Sequence, residues 1–275
     1  MEVEPPKYKA RPAIGGRSAS SKMGDQANLI PRRISTRYPS PPPGADITFW
    51  GEAWEGGTFY CKDDKDGRAI RATEWLLTSI ARHVGLATAD FSLIENDAGD
   101  TFFGSLQLPS SADRFEVQRF LSTSRVGELG QPSEWPGQHL SQVYAYDLFV
   151  NNPDRSLANF LLQNEGLSSR LCLIDFASAH LDGFTDYNFP VETSVTVRVG
   201  RFLRDRHRFF LRSAYEMIDR IAAIPGGVVE GFVRQMPDDW LTTEQSEGIC
   251  ENWSENRIKG RLMALRSGLA DESLL

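Results

Sequence analysis

Three polar side chains near the middle of the chain have the types and spacing that phosphoryl transfer requires. Asp154 and Asn159 lie five residues apart in one polar stretch, and Asp175 directly follows an apolar run. In phosphoryl transfer, one carboxylate accepts the proton of the attacking hydroxyl, while an amide and a second carboxylate hold Mg²⁺ against the ATP phosphates. The types and spacing of Asp154, Asn159 and Asp175 therefore suit a phosphoryl-transfer site.

Each of these residues also has a simpler structural explanation. Asp154 follows Pro153, and such pairs are frequent in turns. Asn159 is compatible with a turn amide, and Asp175 with the polar cap of a strand. The prediction of a phosphotransferase site therefore depends on the three residues occurring together in this order.

The elements around these residues bring two of them together. An apolar helix is predicted over residues 138–151, and Pro153 ends it because the residue before a proline disfavours the α region. The apolar runs Phe160–Leu162 and Leu171–Ile174 predict a β-hairpin. Such a hairpin places Asn159 and Asp175 at one edge, where two oxygen donors suffice for Mg²⁺.

A second group of candidate residues lies upstream, in a strand, turn, strand and helix order. The strand Thr58–Lys62 ends in a lysine, and a helix predicted from about Arg68 to Val84 carries Glu74. In kinases, such a lysine contacts the ATP phosphates and such a glutamate positions it by an ion pair. Gly56 and Gly57, in the turn before this strand, are the candidates for covering the phosphates. A solvated lysine and an exposed helical glutamate are equally compatible with these positions.

The stretch Asn152-Pro153-Asp154-Arg155, followed by Asn159 and by Leu173-Ile174-Asp175, resembles the catalytic core of the HipA-like kinases. The likeness is to the short bacterial HipA-like proteins in particular, a family with distant kinship to phosphatidylinositol 3/4-kinases and protein kinases. It covers roughly residues 46–265 and is strongest over 146–181.

The resemblance implies a role for each candidate residue and two cofactors. Asp154 would be the catalytic base, with Asn159 and Asp175 as Mg²⁺ ligands. Lys62 would be the lysine that binds ATP, and Glu74 its partner on the helix. Among its departures from the family, Ser156 stands where the longer HipA kinases typically carry histidine, and no Gly-x-Gly-x-x-Gly motif is present.

These observations predict an α+β, two-lobed protein-kinase-like fold. Residues 1–44 are rich in Pro, Arg and Ser and are predicted to be a disordered tail, because such a composition buries too little apolar surface. Residues 45–108 are predicted to form a small, mainly-β N-lobe. Residues 109–275 are predicted to form a larger helical C-lobe with the catalytic loop and the metal-binding hairpin. One long helix is expected there from Val199 to about Ile224.

Composition excludes several classes of partner. The net charge is −7 although the first 45 residues are basic, so the remaining body is acidic and nucleic acid is disfavoured as a partner. No apolar run reaches 18 residues, which predicts no membrane span. The three cysteines, Cys61, Cys172 and Cys250, have no close spacing and indicate free thiols. A cytoplasmic location is therefore expected.

The favoured function at this point is an ATP- and Mg²⁺-dependent serine/threonine protein kinase, with a protein as its substrate. Two alternatives remain open. One is a small-molecule kinase of the aminoglycoside or choline phosphotransferase type, which shares the Asp-x-x-x-x-Asn pattern and a distal Asp. The other is a non-catalytic nucleotide-binding interaction module, which the incomplete glycine loop allows.

Overall fold

Five short strands close into a barrel in the first part of the chain that the structure describes. The strands are β1 Arg32–Arg37, β2 Phe49–Ala53, β3 Thr58–Lys62, β4 Phe91–Glu95 and β5 Thr101–Leu106. Their order around the barrel is β1-β2-β3-β5-β4, and all neighbours are antiparallel except β1 and β4. Side chains alternate across each strand, so that one set fills the interior, namely Phe49, Phe59, Cys61, Ile94 and Phe102.

The computed structural model describes residues 30–39, 46–108, 111–123, 133–165, 168–181, 188–254 and 257–275. Most of the predicted tail lies outside these ranges. The tail prediction is wrong at β1, which pairs with both β2 and β4. Tail composition gave no sign of this strand, because distant strands supply its hydrogen bonds and Ile34 packs against the barrel interior.

The helix α1, Ile70–His83, covers part of the outer face of the barrel. Its position confirms the helix predicted from about Arg68 to Val84. Trp75 is completely buried, and its ring packs edge-on against Phe91 at a centroid distance of 5.1 Å. This packing fixes α1 against strand β4.

Among the described residues after β5, the regular elements are helices and one hairpin. The hairpin consists of β6 Phe160–Glu165 and β7 Ser168–Leu173, preceded by a single 3-10 turn at Leu157–Asn159. The helices are α2 Arg114–Ser122, α3 Glu134–Phe149, α4 Val195–His207, α5 Leu211–Ala222, α6 Gly226–Arg234, α7 Thr243–Ser254 and α8 Ile258–Ala270. No helix in these described ranges is both long and apolar enough to cross a bilayer.

The long helix expected from Val199 to about Ile224 is instead two helices, α4 and α5. The chain breaks at Arg208, whose φ of 67° is left-handed. The break packs against α3 at Gly137, where an added Cβ would lie 2.1 Å from the carbonyl oxygen of His207. Ser141 of α3 accepts a hydrogen bond from the Phe210 N–H at 2.9 Å. A tertiary contact therefore overrides the apolar periodicity of this segment.

Helix α3 lies at the centre of the helical part and delivers the chain to the predicted catalytic segment. Ala145, Tyr146 and Phe149 are fully buried. The Tyr146 hydroxyl donates a 2.6 Å hydrogen bond to the carbonyl of Leu77 in α1. This bond ties α3 to the helix that packs on the barrel.

We expect His139 of α3 to make stability depend on pH. Burial lowers the pKa of His139 to about 4, against about 6.5 in an unfolded chain. The unfolded chain thus binds more protons below pH 6.5, and the free energy of unfolding falls until the pH passes about 4. Relative to His139→Gln, the wild type should lose about 2 kcal/mol between pH 7 and pH 5, measured by urea unfolding.

The exposed His180→Gln variant serves as the control for this measurement. It should follow the wild type at both pH values, because its ring is largely in solvent. A constant stability difference between wild type and His139→Gln at pH 7 and pH 5 would contradict the expectation.

Candidate active site

Lys62 joins three separate elements through a buried pair of ionic contacts. Its Nζ donates to Oε1 of Glu74 at 2.5 Å and to Oδ1 of Asp175 at 2.8 Å. The lysine side chain is only 9% exposed. An ammonium group at this depth requires nearby carboxylates, so the end of β3, helix α1 and the segment after β7 are held together by charge.

The pKa shifts in this cluster follow from burial and from the ion pairs. Burial alone would lower the pKa of Lys62, but the charges of Glu74 and Asp175 outweigh it and raise that pKa. Burial would raise the pKa of Asp175, but Lys62 outweighs it and lowers that pKa. Burial raises the pKa of Glu74, against the opposing effects of Lys62 and of the backbone N–H of Phe176. A charged lysine beside an ionised Asp175 is the state these contacts favour.

Glu74 makes a second contact that fixes the backbone beside Asp175. The N–H of Phe176 donates to Oε1 of Glu74 at 3.0 Å, and the Phe176 side chain is fully buried. One glutamate oxygen thus receives both Lys62 and the segment after β7. Helix α1 therefore positions the lysine and the predicted metal-binding aspartate together.

Asp175 has a left-handed backbone, with φ of 67°. Such a conformation costs about 1–3 kcal/mol in a residue other than glycine and persists only where the surroundings enforce it. Here Lys62 holds one carboxylate oxygen, and the Asn159 amide donates to the other at 2.9 Å. These contacts keep the carboxylate facing the cleft.

The predicted hairpin is confirmed, and it brings Asn159 beside Asp175. Phe160 pairs with Leu173 at the open end of the β6–β7 ladder. The N–H of Ile174 donates to the carbonyl of Asn159 at 3.1 Å. The residues that flank the two strands therefore meet at one edge.

The Asn159 amide is oriented by Ser156. Its Oδ1 accepts from the Ser156 N–H at 3.0 Å and also contacts the Ser156 hydroxyl. Its Nδ2 faces Asp175. By donor chemistry, the carboxylate of Asp175 and the amide oxygen of Asn159 fit a hard divalent cation. Asn159 can offer that oxygen only if its amide turns away from Ser156.

Asp154 is exposed, and it lines one cleft together with Lys62 and Asp175. Its backbone N–H donates to Oδ1 of Asn152 at 3.2 Å, which holds the tight turn. Burial raises the pKa of its carboxyl, and the nearby charges of Asp175 and Asp46 raise it further, while Arg155 lowers it. The result is a solvent-accessible carboxylate with increased proton affinity.

A buried arginine, Arg155, ties the catalytic segment to the hairpin. Its guanidinium forms two 2.9 Å bonds to the carboxylate of Asp147. Its Nη1 donates to the carbonyls of Asn159 and Ile174 at 3.2 and 2.5 Å. In the sequence, Arg155 is visible only as part of the Asn-Pro-Asp-Arg pattern. The missed signal was Asp147, an acidic residue within the apolar run Val143–Val150.

Thr196 is a second positioning residue that the sequence analysis missed. Its hydroxyl donates to the carbonyl of Asn152 at 2.5 Å and accepts from the N–H of Arg155 at 2.8 Å. It lies more than 40 residues away from either partner, so no local pattern could have identified it.

One cleft, with a volume of about 340 Å³, collects the predicted catalytic and charged residues. Lys62, Glu74, Asp154, Asn159 and Asp175 all line it. It extends between the barrel strands, α1 and the β6–β7 edge.

Gly56 and Gly57 are not brought to this cleft. Their turn joins β2 to β3 at Thr58, whereas Lys62 lies at the other end of β3. The cleft is instead lined by Asp46 and Ile47, from the connection between β1 and β2. The glycines were correctly assigned to a turn, but the pattern did not reveal which end of the strand faces the site.

A family model described as HipA-like kinase matches residues 42–268. The chain belongs to the HipA-like kinase family. This finding confirms the resemblance seen in the sequence and assigns the chain to a phosphotransferase family. A comparison with curated proteins gives no match.

Solved structures place the HipA-like kinase chain in a mixed α and β fold of the kinase type. The proinflammatory kinase CtkA of Helicobacter pylori matches with a TM-score of 0.54 and 10% identity, over 84% of this chain and 95% of CtkA. This likeness shows the fold alone.

Two further structures are similar at lower scores and add nothing to that conclusion. A Golgi casein kinase with Mn/ADP bound has a TM-score of 0.46 and 11% identity, over 87% of this chain and 74% of its own. HipA of Shewanella oneidensis, in complex with HipB and operator DNA, has a TM-score of 0.45 and 9% identity. The match covers 76% of this chain and 60% of that HipA chain.

We expect the Asp147–Arg155 pair to be strongly coupled in stability. Asp147→Ala leaves a guanidinium buried without its carboxylate, which costs about 3–5 kcal/mol. The double variant Asp147→Leu with Arg155→Met should recover most of that loss in urea unfolding. The exposed pair Arg212 and Glu216 is the matched control, with coupling of about 1 kcal/mol or less. Strictly additive losses at the buried pair would contradict this account.

Proposed function

We propose that this HipA-like kinase transfers the γ-phosphoryl group of ATP, with Mg²⁺, to a serine or threonine hydroxyl of a protein. One observation carries the proposal: Lys62, Asp154, Asn159 and Asp175 converge on a single cleft. Their types match the phosphate-binding lysine, the catalytic base and the two metal ligands of a kinase.

In this proposal, Lys62 binds the α- and β-phosphates and Glu74 orients it. The 2.5 Å contact between them keeps the ammonium charged and prevents it from swinging into solvent. Asp175 and the amide oxygen of Asn159 would hold the divalent cation, which neutralises charge on the phosphates when bound. Arg155 keeps the carbonyls on both sides of the hairpin edge in register.

Asp154 would act directly on the acceptor. Its carboxylate accepts the proton of the acceptor hydroxyl, whose oxygen bonds to the γ-phosphorus as the bond to the ADP oxygen breaks. The increased proton affinity of Asp154 suits this role, because a general base works best when its pKa approaches the operating pH. Its exposure allows a protein side chain to reach it.

The finer division of the fold belongs to the same proposal. Residues 45–108 would be the N-lobe and residues 109–275 the C-lobe, with the cleft between them. Lys62 and Glu74 come from the first part, and Asp154, Asn159 and Asp175 from the second. The β1 strand adds to the N-lobe a segment that the composition had assigned to the tail.

A second candidate is a small-molecule kinase for a cationic acceptor. Asp46 lies in the cleft wall, where Arg68 pairs with it at 2.9 Å, and its charge raises the pKa of Asp154. Two acidic side chains near the reacting hydroxyl would favour a positively charged substrate. A basic segment of a protein satisfies the same preference, so the labelling assay follows both the proteins and the small metabolites of a lysate.

We expect the wild type to transfer label from γ-labelled ATP and Mg²⁺ to itself or to lysate proteins. Asp154→Ala should reduce this transfer by at least about 100-fold, because general-base catalysis contributes at least that much, while nucleotide binding persists. Lys62→Met should weaken both label transfer and nucleotide binding. The exposed Arg212→Met variant is the control and should retain activity.

The outcomes of the labelling experiment distinguish three functions: a protein kinase, a small-molecule kinase and a non-catalytic binding module. Labelled protein that is lost in Asp154→Ala supports the protein kinase. Label confined to small metabolites would favour the small-molecule kinase. Nucleotide binding without turnover on any acceptor would contradict both and leave a non-catalytic binding module.

A further inference from the structure

Arg114 is a charged side chain of the cleft that has no role in the chemistry proposed above. It is the first residue of α2, and it lines the cleft together with Asp154 and Asn159. Arg114 is exposed, and no carboxylate among the described residues forms an ion pair with it. Its guanidinium, which always carries a charge, is therefore available to a ligand.

The other charges that line the cleft are already engaged. Lys62 is assigned to the ATP phosphates and lies between two carboxylates. Asp46 pairs with the guanidinium of Arg68 at 2.9 Å, and the Asp154 carboxylate is assigned to the acceptor hydroxyl. Of the cations that line the described cleft, Arg114 is therefore the one left to attract a charged group of the acceptor.

The start of α2 is held beside the catalytic segment. Asp113 caps the helix, because its side chain accepts a 2.7 Å hydrogen bond from a backbone N–H of the first turn. The N–H of Ala112 donates to the carbonyl of Leu162 in β6 at 2.8 Å. Helix α2 also packs against the 3-10 turn Leu157–Asn159. Arg114 is thus presented from a fixed position at the edge of the cleft.

The residue after Arg114 indicates a polypeptide ligand. Phe115 is 72% exposed, and successive residues of a helix point about 100° apart. A nucleotide in the cleft would leave the Phe115 ring in water, whereas a chain that crosses the start of α2 would cover both side chains. Burying an aromatic ring in an interface is favourable, so these two residues together suit a protein segment.

We propose that Arg114 and Phe115 receive a segment of the acceptor protein, and that Arg114 pairs with an acidic side chain of that segment. The inference rests on the proposed function, in which Asp154 acts on a protein hydroxyl. A guanidinium can bind a carboxylate through two parallel hydrogen bonds, which adds specificity to affinity. Arg114 thus determines which acceptor binds, by pairing with a residue near the phosphorylated one, and is not a catalytic residue.

The test compares acceptor peptides that differ only in charge. Three peptides share one central serine and carry Asp, Ala or Lys at the neighbouring positions, and the full chain phosphorylates them with γ-labelled ATP and Mg²⁺. The wild type should have a KM for the Asp peptide about 5- to 10-fold below that for the Ala peptide, the size expected for a partly exposed charged contact. Arg114→Gln should remove this difference and leave kcat unchanged.

A charge reversal and two further variants keep the test decisive. Arg114→Glu should prefer the Lys peptide, a gain that only a folded protein can show. Arg119→Glu makes the same change at an exposed arginine of α2 that faces away from the cleft, and should keep the preference for Asp. Phe115→Ala should raise the KM for all three peptides, because contact with the ring does not depend on charge.

The outcomes distinguish this inference from the function on which it rests. If the wild type labels neither a peptide nor a lysate protein, both are overturned. If it labels lysate proteins but does not prefer the Asp peptide, only the role of Arg114 is overturned. A loss of ATP affinity in Arg114→Gln as large as the rise in peptide KM would also overturn that role, since Arg114 would then act on the nucleotide.

Discussion

The arrangement of this molecule depends on one buried positive charge, that of Lys62, and on the two carboxylates that balance it. The Lys62 ammonium is removed from water and is balanced by Glu74 and Asp175. Because an unbalanced buried charge is strongly destabilising, the end of β3, helix α1 and the segment after β7 must meet at one point. The same requirement aligns the groups that the proposed chemistry needs, so folding and site assembly depend on the same contacts.

A second buried cation, Arg155, holds helix α3 and the hairpin edge together in the helical part of the protein. Arg155 is 3% exposed and satisfies its guanidinium with Asp147 and with two carbonyls at the hairpin edge. Both cationic clusters contact the hairpin edge near Asn159 and Asp175. Asp154 lines the cleft and remains exposed, so the proposed acceptor could reach it.

Local patterns in the sequence were sufficient for the elements that hold the site, and insufficient for the contacts between them. Helix α1 and the β6–β7 hairpin follow from apolar periodicity and turn residues. The buried state of Arg155 and the role of Thr196 depend on partners brought together only by folding. Gly56 and Gly57 were correctly predicted in the turn before β3, but that turn lies at the end of β3 away from Lys62. The helix break at Arg208 arises from close packing on α3, which periodicity does not encode.

The parallel pairing of β1 with β4 has a practical consequence for how the protein is handled. The family match begins at residue 42, beyond β1 at Arg32–Arg37. A protein trimmed to that boundary would retain every proposed site residue, yet the barrel would be open along β2 and β4. Two edge strands with unpaired N–H and C=O groups invite pairing between molecules. Such a protein would be prone to self-association although its catalytic residues are all present.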